Sequence, residues 1–282
     1  ARRSDYTRIL ARAIEVNAAI HANDLRLVTG DNTVSADQAQ VQTSATPADG
    51  GAPAFALDVS QLGGMYAGKI TLIGTEAGVG VRHHGTLSAS TGDVTISSSG
   101  WLSSAGAIFA QRLDVAVHAL HNSGGLIDGA DVRITTHTLD NAGGRIFGDR
   151  VAIAAHTLSN RQGLAAGASA LRGGTIAARE RLDIGAQHLT NKEDSLIFSA
   201  GDMAIGGALN ASHRAITDGS ANAQTLNNNS ATIESLGHMA LASNVLRNTN
   251  ESFKTELLVV TGPMAMTLIQ PSGSTAKIAS SN

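Results

Sequence analysis

The sequence predicts an all-β chain wound as a parallel β-helix with coils of about 19–22 residues. Three observations predict it. A short apolar frame recurs along the chain, a Leu-x-Asn triplet follows most copies of it, and large rings are scarce while Gly is common.

The frame is clearest at Ile108, Leu113 and Val115, the first, sixth and eighth positions of a short segment. It returns as Ile127, Val132 and Ile134 and as Ile146, Val151 and Ile153, with starts 19 residues apart. With one extra residue inside, it returns at Ile176, Leu182 and Ile184, at Ile197, Met203 and Ile205, and at Ile233, Met239 and Leu241. Towards the N-terminus, Met65, Ile70 and Leu72 and Ile20, Leu25 and Leu27 fit, and Leu87, Val94 and Ile96 fit with a longer gap. Period-2 pairs such as Val132/Ile134 mark short strands with one buried face. Coils of this length are too short for helix-pair repeats, which need about 34 residues. The Leu spacing and helical half of a leucine-rich repeat are absent. One coil cannot bury its apolar face alone, but stacked coils share backbone hydrogen bonds at about 4.8 Å and set like side chains in line.

The second mark begins five residues after the last apolar position. Leu120-His121-Asn122, Leu139-Asp140-Asn141 and Leu158-Ser159-Asn160 are spaced by 19, and Leu189-Thr190-Asn191 and Leu246-Arg247-Asn248 keep the offset. Leu226-Asn227-Asn228 is a displaced relative. The Asn is expected to form a ladder at a bend, where its amide can bond the neighbouring coil.

Irregular spacing locates inserts. Residues 30–56 read as a projecting loop or hairpin, and Gln162–Gly173 and Asn210–Asn228 read as further inserts. From Tyr6 to Val16 the spacing also suits an amphipathic helix, whereas strand is expected from Ile20 onward. Residues 253–282 lack the frame and read as an irregular segment or cap.

Composition narrows the function. One Trp, two Tyr and five Phe among 282 residues suit thin layers of Val, Ile, Leu and Ala better than a compact globule. A net charge of -3 and no basic run argue against nucleic-acid binding. Without Cys there are no disulfides or thiolate metal sites. The apolar stretch around Leu257–Ile269 is too short to span a bilayer, which takes about 20 residues. No apolar leader opens the sequence, which reads as a piece of a longer chain.

His118, His137 and His156 each lie two residues before the repeat's Leu and would stack in one column. Imidazoles bind zinc or copper, but later copies place Gln187 and Asn244 there, so a polar surface ladder is expected. His83-His84 reads as a loop pair. Asp114, Asp131, Asp149 and Asp183 recur near one coil edge without sharing one frame position; the paired geometry of carbohydrate-cleaving carboxylates is not implied. No catalytic, cofactor-binding or metal residue is therefore assigned, no cofactor is expected, and the chain reads as no enzyme. A carbohydrate-active β-helix lyase or hydrolase is the alternative.

The segment Leu57-Asp-Val-Ser-Gln-Leu-Gly-Gly-Met-Tyr-Ala-Gly-Lys-Ile-Thr-Leu-Ile-Gly-Thr-Glu-Ala-Gly-Val-Gly-Val-Arg82 closely resembles a signature of filamentous haemagglutinin-type exoproteins. These are the large secreted partners of bacterial two-partner secretion systems, contact-dependent growth inhibition toxins among them. Ile9–Asn17 through Leu25–Gly30 resembles the segment preceding that signature, and the copies after Gly85 resemble haemagglutinin repeats. The resemblance covers roughly residues 6–250. It implies a right-handed parallel β-helix, export through an outer-membrane β-barrel transporter, and folding outside the cell. It further implies adhesion or display of a C-terminal toxin, with a host or neighbouring-cell receptor or glycan as partner. On this basis residues 1–85 are expected to end a secretion domain, 86–252 to form the haemagglutinin-repeat part, and 253–282 to lie apart. The family's Asn-Pro secretion motif is absent, and His83-His84 stand where relatives often carry Asn.

Overall fold

The computed structural model describes residues 4–35, 40–43, 53–165, 168–251, 266–269 and 275–278. Its main element is an 18-stranded sheet whose strands pair in parallel.

The expected fold class needs correction. The chain is all-β, but its hydrogen bonding closes into a six-stranded parallel β-barrel with flanking strands, not into an open right-handed β-helix. The strand Ala19–Thr29 bonds both Gly64–Tyr66 and Lys69–Gly74, and both of these bond Thr86–Ser104. A repeat fixes which residues lie side by side. It does not decide whether the sheet stays open or closes, because equivalent residues align in either case.

The frame itself pairs residue for residue. Ile20, Met65, Leu87, Ile108, Ile127, Ile146, Ile176, Ile197 and Ile233 form one column across successive strands. Leu25 through Met203 and Leu27 through Ile205 form two more, closed by Met239 and Leu241. From residue 65 to residue 205 every frame side chain is essentially removed from water. At about 25 cal/mol per Å² of apolar area, each such Leu or Ile contributes roughly 1.5–3 kcal/mol of transfer free energy. Met239 and Leu241 keep their positions but are 42% and 38% exposed, since no further described strand pairs beyond them.

A fourth column carries the Leu of the triplet: Leu57, Val81, Leu102, Leu120, Leu139, Leu158, Leu189, Leu226 and Leu246. Leu226 is thus in register rather than displaced. The Asn210–Asn228 insert is accordingly shorter than expected, because Ala223–Asn229 is already back in the sheet. The insert at residues 162–173 holds a small antiparallel pair, Gly163–Leu164 with Leu171–Arg172. Arg172 fastens it, donating from Nε to the Gly143 carbonyl (2.5 Å) and from Nη2 to the Gly124 carbonyl (2.8 Å). Gly143 takes φ 62°, and a Cβ there would run into Gly163, so the turn beneath the insert needs glycine.

Near the N-terminus, Ser4–Ala11 and Ile14–Val16 are strands, so the helical option over Tyr6–Val16 does not form. Ile9 pairs with Leu27 and Val16 with Val59, which puts their apolar faces on the same core. Within the 30–56 insert, Asn32–Val34 and Val41–Thr43 make an antiparallel pair, while residues 36–39 and 44–52 lie outside the described residues. Most of 253–282 also lies outside them, apart from the antiparallel strands Met266–Ile269 and Thr275–Ile278.

Candidate functional site

One inner polar column and three outer features run across the strands, and the register fixes what each can do. The inner column is the Asn of the triplet. Asn122 donates from Nδ2 to Oδ1 of Asn141 (2.8 Å), Asn141 to Asn160 (2.7 Å), Asn160 to Asn191 (2.8 Å), Asn191 to Asn228 (2.9 Å) and Asn228 to Asn248 (2.9 Å). The first four of these residues are fully buried. Their second amide hydrogens reach carbonyls of the adjoining bend, among them Gly174 (3.0 Å) and Thr232 (2.9 Å). The chain of amides therefore adds a second hydrogen bond to bend carbonyls such as Gly174, whose oxygen also accepts the Leu196 N–H (2.9 Å).

The column continues below Asn122 through Ser104 and His83. His83 ends the strand Val81–His83 and is fully buried, so it is not the loop residue expected from sequence. Its Nδ1 lies 3.4 Å from Ser104 Oγ, while Nε2 finds no partner. Burial, helped by the neighbouring His84, pushes its pKa from 6.5 down to about 4. The residue is held neutral in the core.

The first outer column is histidine. His118 and His137 stack with centroids 5.4 Å apart and planes 5° apart, and His137 and His156 stack at 4.8 Å. His188, one residue beyond Gln187, turns its ring edge-on to His156 at 5.5 Å. Parallel rings about one strand spacing apart do not converge on a common point, as a tetrahedral metal requires. Among the described residues no three His, Asp or Glu side chains are grouped to hold a metal ion.

The second outer feature is charged. Asp131, Arg150, Arg181 and Asp202 occupy one column, and Asp114, Arg133, Ala152 and Asp183 the neighbouring one. The loop after Gly206 folds over them, so that Arg214 reaches Asp183 (3.2 Å). Asp183 is buried and accepts a two-point contact from Arg181 (2.7 and 3.1 Å) and the Ala215 N–H (2.9 Å). That contact also holds the Arg181 guanidinium above its ordinary pKa. Asp131 faces Arg133 (3.6 Å) and Arg150 (3.5 Å), and Asp149 pairs with Arg179. Of the four aspartates singled out in the sequence, Asp131 and Asp183 line one cleft of about 290 Å³, each against arginines. Carboxylates so neutralised suit fastening a loop rather than acting as a free acid–base pair.

The third outer column was missed by sequence reasoning. His21, Tyr66, Ser88, Phe109, Asp128, Phe147, Ala177, Phe198 and Glu234 lie in line on the outer surface. The signal was present as an aromatic one residue after the frame's first position in every second copy.

Residues 1–104 match the family described as the TPS secretion domain. The chain is 49% identical over 126 residues to a protein named Toxin CdiA from Yersinia pestis, an overlap of 44% of this chain and 4% of that protein. It is 44% identical over 128 residues to a tRNA nuclease CdiA of Escherichia coli (strain NC101), again 44% of this chain and 4% of the relative. A 16S rRNA endonuclease CdiA of Enterobacter cloacae is 41% identical over 127 residues, 43% of this chain and 4% of its own length. The chain thus spans a small part of the relatives it matches. No solved structure matches it. The TPS secretion domain is a non-catalytic export module of secreted, cell-surface-associated proteins. Residues 1–104 thus match the TPS secretion domain, and together with the CdiA relatives this supports an exoprotein of the contact-dependent inhibition, two-partner secretion type.

Proposed function

We propose that this chain is an export-and-display module. Its N-terminal part, about residues 1–85 and the strands joined to it, engages an outer-membrane β-barrel transporter. Residues 86–252 form the structural and adhesive part, and 253–282 follow as an irregular segment or cap. The displayed surface serves adhesion to a host or neighbouring-cell receptor or glycan, or holds a C-terminal growth-inhibition toxin away from the producing cell. The nuclease activities named for two relatives belong to those proteins and are not carried over to these residues.

The observation that carries this reading is continuity. The apolar columns run from Ile20 inside the matched secretion domain to Ile233 far beyond it, with no break in register at residue 104. A chain whose strands pair in register with those before them can cross a membrane extended and fold as it emerges, because each strand finds its partner already outside. The test is secretion of this chain, behind a signal peptide, from cells carrying a cognate transporter. Export is expected to require both the transporter and residues 1–104. Equal export without either would contradict the reading.

A further inference from the structure

Among the described residues no Phe, Tyr or Trp belongs to the buried core; its large side chains are Leu, Ile, Val and Met. The rings are spent on the outside. Four of the chain's eight aromatics, Tyr66, Phe109, Phe147 and Phe198, fall in the single outer column described above. They sit at every second strand, separated by Ser88, Asp128 and Ala177. The ring spacing is thus two inter-strand steps, about 10 Å. All four are partly exposed. Phe147 and Phe198 flank Ala177 and, with Asp128, Gly148 and Arg179, line an open groove of about 230 Å³.

From this periodicity we propose that the aromatic column is a docking track for an extended, equatorially linked polysaccharide. Such a chain presents an apolar C–H face at every second sugar, in step with rings two strands apart. Its hydroxyl edges would meet Asp128 and Arg179. A protein-binding patch gathers its aromatic anchors at one centre; here they are strung out along one line and broken by small or polar residues. The proposal rests on the display reading, to which it adds the class of ligand.

The test uses the whole chain and titrates it with a β-1,4-linked N-acetylglucosamine hexamer, the matching dimer and an α-1,4-linked glucose hexamer, followed by calorimetry and by NMR of the Phe rings. The β-linked hexamer is expected to bind best and to shift the Phe147 and Phe198 ring signals. Phe147→Ser and Phe198→Ser, both outward substitutions, are each expected to weaken it about tenfold, while Arg150→Gln on another face leaves it unchanged. Absence of hexamer binding, equal binding of the α-linked hexamer, or binding with unmoved Phe signals would each overturn the proposal. If the Ser variants fold poorly, the ring shifts in the unaltered protein still decide. Transporter-dependent export of the same chain is scored separately, so loss of the glycan track and loss of the display reading are distinguishable.

Discussion

Asn141 donates its side-chain amide to the Oδ1 of Asn160 at 2.7 Å, across two strands whose equivalent residues are 19 apart in sequence. Both side chains are fully buried, and each is also a member of the next pair in line. Replacing Asn141 by Leu leaves the Asn122 amide and the Asn160 Oδ1 without these partners in a dry column. The expected cost is about 2–4 kcal/mol, read as a lower urea midpoint. A loss under about 0.5 kcal/mol would show that the amides do not act as a connected chain.

His83 makes stability depend on pH in a defined window. Its folded pKa of about 4 lies below the ordinary 6.5, so the unfolded chain takes up a proton that the folded chain refuses. This contribution is intact above about pH 6.5 and is lost as pH falls towards 4, approaching roughly 3 kcal/mol. Val16 and Val59 occupy the same column, so His83→Val fits the site. Melting between pH 7 and pH 4 should fall less steeply in that variant; equal slopes would place the acid sensitivity elsewhere.

The core columns predict a sharp contrast at one position. Ile134 is 1% exposed between Val115 and Ile153. Ile134→Val should cost about 1 kcal/mol, whereas Ile134→Asp buries an unpaired carboxylate and should cost more than about 4 kcal/mol, unfolding the neighbouring strands. Unchanged thermal melting of the Asp variant would remove the inward assignment.

Arg172 ties the 163–172 insert to two turn carbonyls. Arg172→Met should free the insert at a cost of about 1–3 kcal/mol. Hydrogen exchange at Gly163 and Leu164 should quicken while Ile153 stays protected. Equal protection at all three would mean that other contacts hold the insert.

How much the sequence disclosed follows from what a repeat can encode. The inward residues from Leu25 to Ile205 were legible because burial on one face forces a period, and their pairing partners followed from the spacing. The Asn column was legible for the same reason. Closure of the sheet was not, since spacing is blind to how the two ends of a hydrogen-bonded set meet. His83 escaped because the column it joins holds Val, Ser or Asn elsewhere, and a single His among them carries no local mark. The aromatic column escaped because its period is two repeats, longer than the frame used to find it. His188 was missed since its ring joins the histidine stack from one position along.

The chain has no cysteine, which permits a direct test of register in the exported protein. Ala116 and Thr135 are exposed, adjacent partners, whereas Ala116 and Ala154 are separated by Thr135. Neighbouring strands bring Cα atoms to about 4.8 Å, within disulfide reach, and two steps put them beyond it. Chain recovered from the medium with Ala116→Cys and Thr135→Cys should form an intramolecular disulfide under mild oxidation, and chain with Ala116→Cys and Ala154→Cys should not. Cross-linking of the second pair in preference to the first would contradict the in-register parallel pairing on which the display function rests.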